Sequence, residues 1–113
     1  MKEENGNPES AESASNKDVC AYEAIVIKMA NIFISKNHDY GNSFSESVQE
    51  LGENLGVIAG FVPIMHKFNR LKNIIKGAAL LVKDEAIDDT LLDMANYCIM
   101  LKMEIDRLRE HVK

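Results

Sequence analysis

The chain has 113 residues, with 13 Lys plus Arg, 18 Asp plus Glu and 2 Cys, for a formal net charge of −5. That is one domain's worth of sequence, and its acidity excludes a general DNA or RNA backbone binder, which needs a basic footprint. The longest apolar run, Val57 to Met65, is 9 residues, about half of what a membrane-spanning helix requires.

Residues 1–17 contain Asn, Gly, Pro, Ser and Glu and almost nothing to bury. They predict a disordered acidic tail, followed by a single domain over 18–113. From Asp18 to about Lys36 the apolar positions Val19, Tyr22, Ile25, Met29, Ile32 and Phe33 follow helical spacing, with Asp18 as N-cap. Asn37 to Asn42 reads as a turn. Ser43 and Glu46 form an S-x-x-E capping box, which starts a second helix running to about Leu55 and ending at Gly56. Val57 to Leu81 is a third helical region interrupted by Gly60 and Pro63. It either kinks there or starts near Pro63. Asp84 caps a last helix reaching about His111. No segment sustains a period of two, so the expected fold is all-α: a four-helix, bundle-like domain behind a tail. No secretory leader is visible, and two cysteines within apolar helical patterns do not make a disulfide framework. The cytoplasm is the expected location.

Charge is unevenly placed. Residues 54–83 carry Lys67, Arg70, Lys72, Lys76 and Lys83 and no acid, whereas residues 84–93 carry Asp84, Glu85, Asp88, Asp89 and Asp93 and no base. Two helices with complementary solvated faces would account for this. A phosphate-holding surface beside a metal-holding one would too. In the last helix, Ile87, Leu91, Met94, Cys98, Leu101, Ile105 and Leu108 recur at a 4-3-4-3-4-3 spacing, a coiled-coil-like seam. Glu85, Asp89, Asp93 and Asn96 lie on the other side, interleaved with Leu92, Ile99 and Met103. A helix apolar on two sides predicts a second neighbour, most simply another copy of the chain, making a homo-oligomer.

Carboxylates one turn apart can reach a common cation, and Mg²⁺ takes several such oxygens. Glu85, Asp89 and Asp93 are therefore one candidate metal set. Glu50 and Glu53, placed with Glu46 on one face of the second helix, are another. Lys67 and Arg70, one turn apart, could clamp a phosphate or neutralise those acids in an ion-pair network. His66 reads as structural, or as a ligand or a base. His38, Asp39, Tyr40 and Asn42 form a polar-aromatic turn: either Tyr40 packs on a helix end, or it stacks on a base while Asp39 and Asn42 supply hydrogen-bonding groups.

Two stretches carry a family resemblance. Lys36-Asn37-His38-Asp39-Tyr40-Gly41-Asn42-Ser43-Phe44 resembles the motif K-x-x-D-Y-G-x-S-F. Residues 84–97, DEAIDDTLLDMANY, resemble D-E-S-I-x-D-T-L-L-D-L-A-N-Y. These belong to the phage and prophage family called nucleotide-modification-associated domain type 1, and the resemblance covers about residues 22–105. The acidic helix is also similar to that of the all-α NTP pyrophosphatases (MazG-like), whose E-x-x-E element resembles Glu50-Leu51-Gly52-Glu53. Asp89 and Asp93 are one residue too far apart for the E-x-x-D partner. A middle family motif, R-x-x-D-K-x-x-R, keeps Lys67 and Arg70 but has Pro63 in place of Arg and His66 in place of Asp.

The resemblance implies a small nucleotide-binding protein in the host cytoplasm of a phage. Its binding residues would be His38, Asp39, Tyr40, Asn42, Lys67, Arg70 and Asn96, and it would hold or sequester a nucleotide, such as a defence signal. One alternative is a Mg²⁺-dependent nucleotide pyrophosphohydrolase with the metal on Glu50, Glu53, Glu85, Asp89 and Asp93. The other is a helical scaffold with no ligand.

Overall fold

The computed structural model describes residues 15–40, 42–77 and 79–112, with the backbone alone for 38–40 and 111–112. Among the described residues there are four α-helices and no strands: α1 (Asn16–Tyr40), α2 (Ser43–Leu51), α3 (Glu53–Gly77) and α4 (Glu85–Val112), with a 3-10 turn at Leu81–Lys83 before α4. The all-α expectation holds. The predicted tail lies, up to residue 14, outside the described residues. No helix among them is long and apolar enough to cross a membrane.

The chain divides into two compact units, 1–35 and 36–113, with the boundary inside α1. In the first, Ser15 rather than Asp18 caps α1: its hydroxyl oxygen accepts from the Asp18 N–H at 3.1 Å. Met29 is buried, and Val19, Tyr22, Ile25, Val26, Ile27 and Ile34 are exposed.

The second unit begins with the last turn of α1. That helix runs on to Tyr40, so the turn expected over Asn37–Tyr40 is helical. The expected capping box is absent. Ser43 is already inside α2, Asn42 takes the cap position without a side-chain bond, and the Glu46 N–H donates to the Asn42 carbonyl at 2.9 Å. The next break falls at Gly52 rather than Gly56. Gly52 has φ +84, a left-handed conformation that glycine adopts freely. α3 then continues through Pro63 without a break. The ring has no N–H for the Ala59 carbonyl, and packing outweighs that loss. Asp84 caps α4 as expected: its Oδ1 accepts from the Ala86 N–H at 2.9 Å.

α2, α3 and α4 pack on one another. Val48 of α2 is fully buried, joined by Ile64 of α3 and by Leu101 and Leu108 of α4. The glycines of α3 allow this closeness. A Cβ on Gly60 would lie 2.6 Å from Leu101 Cδ1 and 3.2 Å from Val48 Cγ2. The core is small, and many large apolar side chains remain open to water, among them Phe61, Met65 and Phe68 of α3 and Leu91 and Ile99 of α4. Cys20 and Cys98 are exposed rather than buried. Cys98 sits on the seam read from the sequence, but that seam is buried only towards its end, at Leu101 and Leu108.

Candidate functional site

Asp93 is held by two lysines from two other helices. Lys36 Nζ, from the last turns of α1, donates to its Oδ1 at 2.9 Å, and Lys67 Nζ of α3 lies 3.2 Å from its Oδ2. The Asp93 side chain is 20 % exposed, Lys67 28 % and Lys36 52 %. Partial burial pushes the Asp93 carboxyl up, but the hydrogen bonds and charges of Lys36 and Lys67 outweigh it and leave it below the ordinary aspartate value. One carboxylate thus ties the last turn of α1 to α3 and α4.

Arg70 lies one turn beyond Lys67 on α3. With His66, Asn69, Asn73 and Ile74 it lines an open groove of about 540 Å³ along α3. Arg70 makes no ion pair among the described residues. A guanidinium offers a planar fork of donors that fits phosphate. The flanking amides offer both donors and acceptors, suited to a base or sugar edge.

The acids proposed as metal ligands do not gather. Glu50 is near the end of α2 and Glu53 in the first turn of α3, with the Gly52 break between them, so the predicted three-carboxylate face on one helix is not formed. Glu85 and Asp89 are exposed on the first turns of α4. Among the described residues no group of three or more His, Cys, Asp or Glu side chains could hold a metal ion. Asp93 is committed to the lysines. Asn96 follows it by one turn on α4 and is half-buried. Asn42 is exposed at the α2 cap. The side chains of His38, Asp39 and Tyr40 lie outside the described residues.

A second polar cluster escaped the sequence reading. Glu104 of α4 is 3 % exposed. Its Oε1 accepts from Ser45 Oγ at 2.7 Å and Gln49 Nε2 at 2.9 Å, both on α2, and its Oε2 accepts from Arg107 Nη1. Gln49 Nε2 also reaches the Glu104 carbonyl at 3.2 Å. The signal was available: Leu101, Glu104 and Leu108 are three and four residues apart, which puts the acid in the buried row. Asn69 and Asn73 have no such signal, because an isolated amide on a helix carries no pattern of its own.

These features define a small helical domain in which the opening, middle and closing motifs converge on one carboxylate. The family described as nucleotide modification associated domain 1 matches residues 36–105, and the chain belongs to that family. The match opens at Lys36, where the second compact unit begins. No curated protein and no solved structure matches the chain significantly. The likeness to the all-α NTP pyrophosphatases is therefore not shown.

Proposed function

We propose that the protein binds a nucleotide through its phosphates, using Arg70 and Lys67 of α3, and holds it without turning it over. The observation that carries this reading is Arg70, which makes no ion pair among the described residues and lines the groove beside Asn69 and Asn73. Family membership supports a role in nucleotide metabolism. Lys67 lies one turn away and shares Asp93 with Lys36, so a phosphate could take over part of its charge without leaving an acid unpaired. Asn96, Asn42, His38, Asp39 and Tyr40 complete the proposed binding set. In a phage setting, tight binding without turnover would sequester a signalling nucleotide in the host cytoplasm. The binding unit would be a homo-oligomer.

Hydrolysis with Mg²⁺ is the less supported reading. It asks Glu50, Glu53, Glu85, Asp89 and Asp93 to act together, whereas the two helices part at Gly52 and Asp93 is bridged to lysines.

Calorimetric titration with mono-, di- and cyclic nucleotides, with and without Mg²⁺, tests the proposal. Arg70→Ala should weaken binding about ten- to a hundredfold, the worth of one charge-assisted contact to phosphate. Absence of binding across the panel would refute the reading. Release of pyrophosphate from a nucleoside triphosphate would move it to the enzyme class.

A further inference from the structure

α3 has two apolar faces, and α2 and α4 use only one. Gly56, Gly60 and Ile64 are buried there. On another face Ile58, Phe61, Met65, Phe68 and Ile75 recur at spacings of three, four, three and seven. They are 61, 48, 44, 49 and 50 % exposed. Lys72 fills the gap between Phe68 and Ile75, and its Nζ stands 5.6 Å from the centre of the Phe68 ring. Its stem therefore continues the stripe while its charge stays at the edge. This is a heptad-like seam about two and a half heptads long.

Leu55 and Val62 flank the stripe at 62 and 37 % exposed. Together these side chains offer an area on the order of the ~800 Å² that a standard interface takes from each partner. Monomeric soluble proteins rarely leave so large an apolar patch wet.

The stripe is close to self-complementary when reversed. Met65 is the midpoint of Glu53–Gly77. Ile58 and Lys72 stand seven residues to either side of it, and Phe61 and Phe68 stand four and three. A reversed copy would lay its Phe68 beside Phe61 and the stem of its Lys72 over Ile58. Charge selects the same direction. The acid of this helix, Glu53, is in its first turn, while Lys72 and Lys76, the bases on the side of the stripe, both follow the midpoint. A parallel pair would set Lys72 and Lys76 of one copy against those of the other. An antiparallel pair sets each basic half against a half with no base, and it opposes the helix dipoles.

We infer that the exposed stripe of α3 is a two-fold interface, packed antiparallel against α3 of a second copy with Met65 at the axis. This rests on the homo-oligomer part of the reading above and gives it a surface. It is independent of whether a nucleotide binds.

Sedimentation at micromolar concentration should show a dimer of the 12.7 kDa chain, and Met65→Glu should sediment as a monomer with its helical circular dichroism retained. Because that variant could unfold, a second measurement uses cysteines in a Cys20→Ser, Cys98→Ser background. Met65→Cys should cross-link to itself on mild oxidation. Ile75→Cys should not, but should cross-link to Leu55→Cys when the two chains are mixed. A wild-type monomer would overturn both the interface and the oligomer reading. A dimer unaffected by Met65→Glu but dissociated by Leu92→Glu with Ile99→Glu would overturn the α3 assignment alone and move the contact to α4. Self-cross-linking of Ile75→Cys would overturn the antiparallel direction.

Discussion

A β-carbon on Gly56 would stand 2.1 Å from the carbonyl oxygen of Val48. No real contact is that short, and backbone cannot swing aside as a side chain can. The hairpin of α2 and α3 is therefore closed to a degree that only a hydrogen at position 56 permits.

Gly56→Ala should accordingly destabilise the protein by about 2 kcal/mol, within the range for overpacking, although alanine gains nearly 1 kcal/mol in helix propensity. Gly77→Ala is the control. Nothing lies within 4 Å of its added carbon, so propensity alone should act, and the variant should be unchanged or slightly more stable. Urea denaturation midpoints distinguish the two.

Acid should weaken the junction at Asp93 in a defined direction. Its folded-state pKa lies below the ordinary aspartate value, because Lys36 and Lys67 outweigh its partial burial, so its stabilisation is complete above that ordinary value and is lost as pH falls through the lower one. Asp93→Asn should cost about 1 kcal/mol at neutral pH, a modest figure because the lysines are partly solvated. It should also flatten the acid limb of the stability curve. Asp106, paired with Lys102 at 2.7 Å on the surface, should change that limb little when replaced by Asn. Melting temperatures from pH 7 down to pH 3 provide the check.

Glu104→Ala should be among the most damaging single changes. It leaves the Ser45 and Gln49 donors without their acceptor at a buried position and removes the partner of the half-exposed Arg107. The expected loss is about 3 kcal/mol. Glu104→Gln keeps the shape and part of the bonding and should lose less than half as much. Thermal unfolding of both variants tests the order.

Pro63 shares a helical face with Lys67 and Arg70 by spacing of four and three. Pro63→Arg restores the donor for the Ala59 carbonyl and adds a third base to that face. It should raise stability by about 1 kcal/mol or more and tighten nucleotide binding about tenfold, as read by calorimetry. A tighter fold with unchanged binding would mean that this face does not meet the phosphates.

Helix content was legible because apolar spacing repeats over several turns, and Asp84 could be recognised because an acid before a helical run has a cap as its main use. Boundaries fared less well. Gly52 and Gly56 look alike in sequence, yet one supplies a left-handed turn and the other a close approach, and only the packing of Val48 separates those uses. The same break divided Glu50 from Glu53, so a shared face drawn across both dissolved. Lys67 and Asp93 each stand out in the sequence, but their pairing joins residues far apart in the chain, and Lys36, though it opens the first motif, shows nothing locally of the partner it meets. Glu104 was passed over because charge is ordinarily a mark of the surface.

The left-handed turn at Gly52 also orders events during folding. It closes α2 on α3 through residues only a few positions apart, so little chain entropy is lost in bringing Val48 to Gly56. α4 must instead return across more than half of the matched region before Glu104 can meet Ser45 and Gln49. Local contacts form faster than distant ones. The glycine hairpin is thus the natural nucleus, and the buried glutamate is a late latch, satisfied only when the last helix arrives in register.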